Sequence, residues 1–385
     1  MRLRPSMLLA ATALLVTACS ADAVRQAAEP EPTPVAFDSN VEADAQDVAV
    51  DTLVELSASD GELQEVALAS LKGKYTVDGE LADGVWKAGE RLEPGVTYVL
   101  TATGRNDDGE DSFEQRFTTQ DLSKDEQTYP SVAPIEGETV GVGMPIVVSF
   151  DLPVKERATF EENMHVRTDA DIEGAWHWYS DHTAHYRPKE YWPAGTDVTV
   201  DLQLNSLHAG DGIYGQQDQV VPFTVGSRVI STVDTQRHTM TVEKDGQTLR
   251  TIPVSTGKPG KDSRNGTKVI MEKYDAVDMD AASTGVSEDD ADYYNLTDVK
   301  WAMRVTTSGE FIHAAPWSVG SQGSSNVSAG CVGMSTDNAA WLYQNSKRGD
   351  VVDFTGSPRS LEPQNGWTDW NVDWATWKSG SALEG

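Results

Sequence analysis

The feature that most constrains the fold is a two-residue alternation of apolar and polar side chains that recurs along the chain in short runs. In Val96-Thr97-Tyr98-Val99-Leu100-Thr101-Ala102-Thr103 it is followed by Asn106-Asp107-Asp108-Gly109, and then by Phe113-Glu114-Gln115-Arg116-Phe117-Thr118-Thr119. Successive side chains of a strand face opposite sides, so two such runs around a turn-forming tetrad read as a β-hairpin. Several strands of this kind at short spacing predict a small β-sandwich over 49–122. A second sandwich is expected over 128–226, with strands at Pro145–Phe150, Ala175–Tyr179, Val198–Leu204 and Val221–Val225. Both units end alike, on Phe117-Thr118-Thr119 and Phe223-Thr224-Val225, which suggests a tandem pair almost without helix.

A third, β-rich section is expected over 227–355. Arg228–Asp234 and Thr239–Glu243 read as strands split by a polar turn, Leu249–Ser255 as another, and Gly257–Gly266 as a loop. Helical spacing is found only at Thr336–Ser346, where Ala339, Ala340, Leu342 and Tyr343 share a face and Asp337 complements the N-terminal dipole. The extension 356–385 carries Trp367, Trp370, Trp374 and Trp377. That much aromatic surface is expected to pack back onto the folded part.

The other end of the chain reads as an export signal over 1–18: Arg2 and Arg4, the apolar run Met7–Val16, then Val16-Thr17-Ala18-Cys19. Residues 19–48, rich in Ala, Glu, Asp and Pro, are expected to form a disordered acidic tether. The formal net charge of −31 excludes nucleic acid or an anionic membrane surface as the main partner, since no basic patch offsets it. His177, His182 and His185 lie close in sequence, but no carboxylate or thiolate completes a convincing metal set, and no metal or cofactor is expected.

Only two cysteines are present, Cys19 and Cys331. Cys331 follows Ser328-Ala329-Gly330, and His313 lies upstream across a Gly/Ser/Asn-rich run. A thiol at its reference pKa is only a few per cent ionised at neutral pH, so an imidazole that accepts its proton makes it a usable acyl acceptor. Glycine before the cysteine suits an oxyanion-binding turn. An inert buried cysteine is the competing reading.

Phe311-Ile312-His313-Ala314-Ala315-Pro316-Trp317-Ser318-Val319-Gly320 with Asn326-Val327-Ser328-Ala329-Gly330-Cys331 closely resembles L,D-transpeptidases with a YkuD-type catalytic domain. Their signature is a histidine, a gap of roughly 14 to 17 residues, then Ser/Thr-His-Gly-Cys-x-Asn. Here residues 314–327 fill the gap, while Ala329 and Gly333 stand where His and Asn are usual. Thr139–Pro145 and Arg187–Thr196 also look like segments of the larger mycobacterial-type members, which carry a lipidated N-terminus, two Ig-like domains and a Trp-rich tail. The resemblance implies lipidation of Cys19 in a lipobox, with a plain signal peptide as the alternative. It places the folded part on the outer face of the cell membrane, facing the wall.

It further implies that Cys331 attacks a tetrapeptide stem of peptidoglycan, that His313 is its base, and that a diamino-acid amine resolves the thioester into a 3→3 cross-link. The Ala314 carbonyl would orient the imidazole, and backbone N–H groups at Ala329, Gly330 and Cys331 would face the oxyanion. Met279 to Tyr294 resembles the active-site lid. Tyr294, Met279 and Trp317 would contact substrate with Ser308, Gly309, Ser328 and Gly333, and carbapenem β-lactams would acylate the thiol. With water as acceptor the same site is an L,D-carboxypeptidase. An envelope module that binds peptidoglycan without catalysis is the reading from a different class.

Overall fold

The computed structural model describes residues 32–290 and 293–384. The export signal, Cys19 and the first part of the tether lie outside them. The fold is mainly β, with two sandwiches followed by a two-sheet third domain.

In the first sandwich, Thr97–Asn106 and Gly109–Thr118 form a hairpin in the register Asn106↔Gly109. Asn106 Oδ1 accepts the N–H groups of Asp108 (2.9 Å) and Gly109 (3.1 Å), the side chain closing its own turn. The sandwich starts earlier than its composition suggests. Ala36–Ser39 pairs with Glu55–Ser59, Val35 and Val41 are buried, and Phe37 stacks on Phe113 at 5.2 Å. The expected tether therefore does not run to residue 48. The alternation Val35-x-Phe37 sits within an acidic, Pro-rich context whose mean hydropathy masks it.

The second sandwich packs Pro130–Ala133, Ile146–Phe150, Thr183–Pro188 and Gly174–Trp178 against a sheet of Thr139–Val140, Gln219–Val225, Asp197–Leu202 and Met164–Thr168. A short helix, Arg157–Glu162, lies at its edge and buries Phe160. Both neighbours are joined to it by hydrogen bonds. Ser206 Oγ donates to the Leu92 carbonyl of the first sandwich at 2.7 Å. On the other side Gly141 N–H donates to Arg348 O at 2.7 Å, and Arg348 Nη1 donates to both carboxylate oxygens of Glu138 at 3.0 and 2.9 Å.

The third domain opens with β1 (Val229–Asp234), β2 (Thr239–Lys244), β3 (Gln247–Pro253) and β4 (Gly266–Val269). Then come β5 (Glu272–Asp280), β6 (Asn295–Arg304), β7 (Phe311–Ala314), β8 (Val332–Met334), the helix α1 (Thr336–Asn345) and β9 (Val351–Thr355). One sheet runs β3-β2-β1-β9-β4 and the other β5-β6-β7-β8. Val233, Met240 and Val352 from the first sheet meet Ile312, Val332 and Met334 from the second, with Ala339 and Leu342 of α1 completing the core. Ser335 caps α1 by accepting Asn338 N–H at 3.3 Å.

The tail docks on the second sandwich. Trp377 is fully buried, and its indole N–H donates to Ala175 O at 2.9 Å. Trp370 donates to Gly143 O at 2.8 Å, and the Arg187 guanidinium lies 4.8, 5.2 and 4.7 Å from the rings of Trp370, Trp374 and Trp377. Two of the three clustered histidines serve this latch: His185 Nδ1 is 2.9 Å from Asp369 Oδ1 and His177 Nδ1 is 2.9 Å from Trp377 O, whereas His182 Nδ1 is 3.0 Å from Phe150 O within the sandwich.

Candidate active site

The parallel pairing of β7 with β8 builds the site, because its register sets His313 opposite Gly333, two residues beyond Cys331. A chain gap of residues 314–327 is what a crossover between parallel neighbours needs. Polar staples hold that crossover. Asn326 Oδ1 accepts Thr256 N–H at 3.0 Å, its amide donates to Thr235 O at 2.8 Å, and Ser255 Oγ donates to Ser325 O at 2.9 Å.

A cleft of about 320 Å³ opens here. Cys331, His313, Met279, Tyr294, Trp317, Ser328, Ala329 and Gly333 all line it, so eight of the residues singled out from sequence come together. His313 is buried, and its Nδ1–H donates to Ala314 O at 2.8 Å. That bond fixes the tautomer and leaves Nε2 as the ring's acceptor. The Trp317 indole stacks on the imidazole at 5.9 Å while remaining 57% exposed, so it covers one ring face and still presents apolar surface to the cleft. Met279 packs with Val299, Phe311 and Cys331, and half-buried Tyr294 borders the same cluster. Glu288, Asp289 and Asp290 in the lid segment are exposed, and residues 291 and 292 of that segment lie outside the described residues.

The Cys331 sulfur is 3.4 Å from Phe311 N–H as acceptor and 3.7 Å from Gly309 O as donor. Burial pushes the thiol up to about 11, a rise that the Phe311 N–H opposes and the Glu310 charge increases. Burial also lowers the His313 imidazole below its ordinary value, against the hydrogen bond to Ala314. The resting pair at neutral pH is therefore a neutral thiol and a neutral imidazole. Among the described residues no hydrogen bond joins the two.

Three expectations are modified. The Gly330 N–H donates to Ser328 Oγ at 3.1 Å, so it is not a free oxyanion donor in this arrangement. Ser308 and Gly309 are absent from the cleft lining: the Ser308 N–H donates to Asn365 Oδ1 of the tail at 2.9 Å, and the Gly309 carbonyl faces the thiol from behind. Gly333 is more than a missing amide, since a Cβ there would lie 2.9 Å from Ala315 Cβ. Its N–H and carbonyl are both held by Ser255, at 2.8 and 2.9 Å, so the backbone has closed on the space a larger residue would need.

Sequence reasoning missed Ser255, Lys258, Tyr293, Leu296, Ala315, Ser318 and Val327 in the lining, and a buried Lys268–Glu310 ion pair close to the Ser328–Cys331 turn. Tyr293 and Ser318 adjoin residues that were selected and could have been found by proximity. Nothing in the local pattern of β4 marks Lys268 as buried.

Comparison with known proteins gives the same assignment from another direction. Residues 45–208 match a bacterial Ig domain family, and residues 228–354 match the L,D-transpeptidase catalytic domain family. L,D-transpeptidase 2 of Mycobacterium tuberculosis is 34% identical over 87% of this chain and 82% of its own length. L,D-transpeptidase 5 of the same species is 35% identical over 96% of this chain and 82% of its own length. Among solved structures, LD transpeptidase LdtMt1 in complex with imipenem superposes with a TM-score of 0.51 and 36% identity, over 58% of this chain and 97% of that one. With its Ig-like region, its catalytic domain and relatives that span most of its length, this chain belongs to the L,D-transpeptidase family.

Proposed function

We propose that the chain forms 3→3 cross-links in peptidoglycan through a thioester on Cys331, with His313 as general base. The observation that carries this reading is the pairing of one cleft with one tautomer: His313 gives its Nδ1–H to Ala314 O and keeps Nε2 for the thiol proton. Because the resting pair is neutral, proton transfer accompanies attack. Sγ bonds to the carbonyl carbon of the L-centre of the tetrapeptide's diamino acid as His313 takes the thiol proton. The bond to the terminal D-Ala nitrogen then breaks, and His313 returns the proton to that leaving amine. In the second half the side-chain amine of another stem attacks the thioester and gives its proton to His313. The C–S bond breaks and the proton restores the thiol. Backbone N–H groups of the Ala329–Cys331 turn other than that of Gly330 stabilise the oxyanion. Tyr294, Met279 and Trp317 form the walls for the stem.

A relative of this chain has been solved with imipenem, which motivates carbapenem acylation of Cys331 here. The full chain incubated with imipenem should gain one adduct mass, and Cys331→Ala should gain none; an adduct on that variant would refute the assignment. Incubation with a tetrapeptide-bearing disaccharide separates the outcomes. Cross-linked dimer supports the proposal, trimmed tripeptide alone makes the chain an L,D-carboxypeptidase, and neither product leaves a peptidoglycan-binding module. We further propose that the chain is exported and held on the outer face of the membrane by lipid on Cys19. Cys19→Ala should release it to the medium.

A further inference from the structure

Lys268 lies in the middle of a strand, and its side chain is wholly inaccessible. Its Nζ sits 2.5 Å from Glu310 Oε2 and 3.4 Å from the centre of the Phe354 ring. The other carboxylate oxygen, Glu310 Oε1, accepts both the backbone N–H and the guanidinium of Arg264 at 3.0 Å each. Arg264 in turn donates to Glu362 in the tail. Stability alone does not explain such a set, since a buried ion pair is commonly matched or bettered by apolar residues of similar volume.

Its placement offers a reason. Glu310 follows the turn at 307–309 and immediately precedes β7, and Oε1 lies 3.4 Å from where a Cβ on Gly330 would be. Gly330 has φ +131°, and its carbonyl accepts Ser263 Oγ–H at 2.6 Å, next to Arg264. The Gly330–Cys331 peptide is thus tied to Ser263, the residue next to Arg264, and packs close to the Glu310 carboxylate. We propose that the buried Lys268–Glu310–Arg264 set is a positioning device for Cys331, fixing the peptide that precedes it and setting the field in which its thiol ionises.

This rests on Cys331 as the reactive group. The charged and titratable groups around the thiol and its cleft are Glu310 and His313 from the β7 segment, Lys268 from β4, Arg304 from β6, Tyr293 and Tyr294 from the lid and Lys258 from the loop after β3. Among them Glu310 opposes thiolate formation, while Lys268 and Arg304 favour it. Opposite signs on two touching residues are what distinguishes a field from a mere brace.

The test is the pH profile of Cys331 alkylation by iodoacetamide, read by peptide mass on the full chain. Cys331→Ala sets the background. Burial lowers the Lys268 ammonium to about 8, so rates are compared at about pH 7, where it is charged: Glu310→Gln should alkylate about fivefold faster than the parent, Lys268→Met about fivefold slower, and the double variant close to the parent. Superimposed profiles for all three, or shifts of the same sign for the two single variants, would overturn the proposal. If Lys268→Met does not fold, Glu310→Gln and the double variant still decide. Alkylation needs no stem peptide, so absence of turnover with a charge-dependent profile would strike the proposed function and leave this inference intact.

Discussion

Replacing Gly333 with alanine adds one methyl group to the cleft floor, and its consequence can be worked from contacts already in place. The new Cβ would stand 2.9 Å from Ala315 Cβ, 3.7 Å from Ser318 Oγ and 3.8 Å from Ser255 O. Carbon atoms rest at about 3.5 to 4.0 Å, so the first contact is short by roughly 0.6 Å or more. Ala315 cannot relieve it by rotation, since a Cβ moves only with its backbone. The Ala315 N–H is bound to Met334 O at 2.7 Å, and Gly333 is clamped by Ser255 on both polar groups. Relief must therefore come from β7 and β8 moving apart, at about 1 to 3 kcal/mol. The same movement disturbs the His313↔Gly333 register, so imipenem acylation should slow along with the loss in stability. Calorimetry of Gly333→Ala, Ala315→Gly and the pair gives a thermodynamic cycle. The double variant should recover at least half of the Gly333→Ala loss, because it deletes the atom that clashes. A Gly333→Ala protein that melts with the parent, or a double variant that is merely additive, would show that the floor is not closed by this contact.

Two further predictions concern the joints between domains. Asp350 is buried where the third domain meets Gly141 of the second sandwich, its Oδ1 has no hydrogen-bond partner among the described residues, and burial pushes its carboxyl up to about 7. A folded-state value above the unfolded one favours the protonated native form, so this contribution is full below about pH 4 and is lost as pH rises through about 7. Asp350→Asn should flatten that part of the stability profile measured by calorimetry between pH 4 and 8, and an unchanged slope would contradict it. Trp377→Ala removes a fully buried indole that stacks on His177 at 4.7 Å, a loss of about 3 to 5 kcal/mol. Hydrogen exchange in the segment 369–380 should accelerate about a hundredfold or more while β7 is unaffected, and equal acceleration in β7 would mean that the tail is not a separate latch.

Much of the architecture was legible because it is local. The alternation around Asn106–Gly109 specifies a hairpin whatever surrounds it, and Thr336–Asn345 forms the helix that its spacing implies. Val35 and Phe37 show where this reasoning fails: the same period was present but diluted by acidic and Pro residues, and only the partner Phe113 makes the strand worth forming. The histidines at 177 and 185 failed differently. Their partners, Trp377 and Asp369, lie 200 and 184 residues away, and no spacing rule reaches that far.

The sequence by itself determined that His313 and Cys331 would meet, since a loop of their spacing joins neighbouring parallel strands. It also determined which atoms could serve as nucleophile and base. Only the tertiary structure decided the state in which they wait. The neutral thiol near 11, the lowered imidazole, the occupied Gly330 N–H and the charges of Lys268 and Glu310 all depend on which distant segments exclude water from the site. Side-chain period is a property of neighbours in the chain, whereas desolvation and charge are properties of neighbours in space.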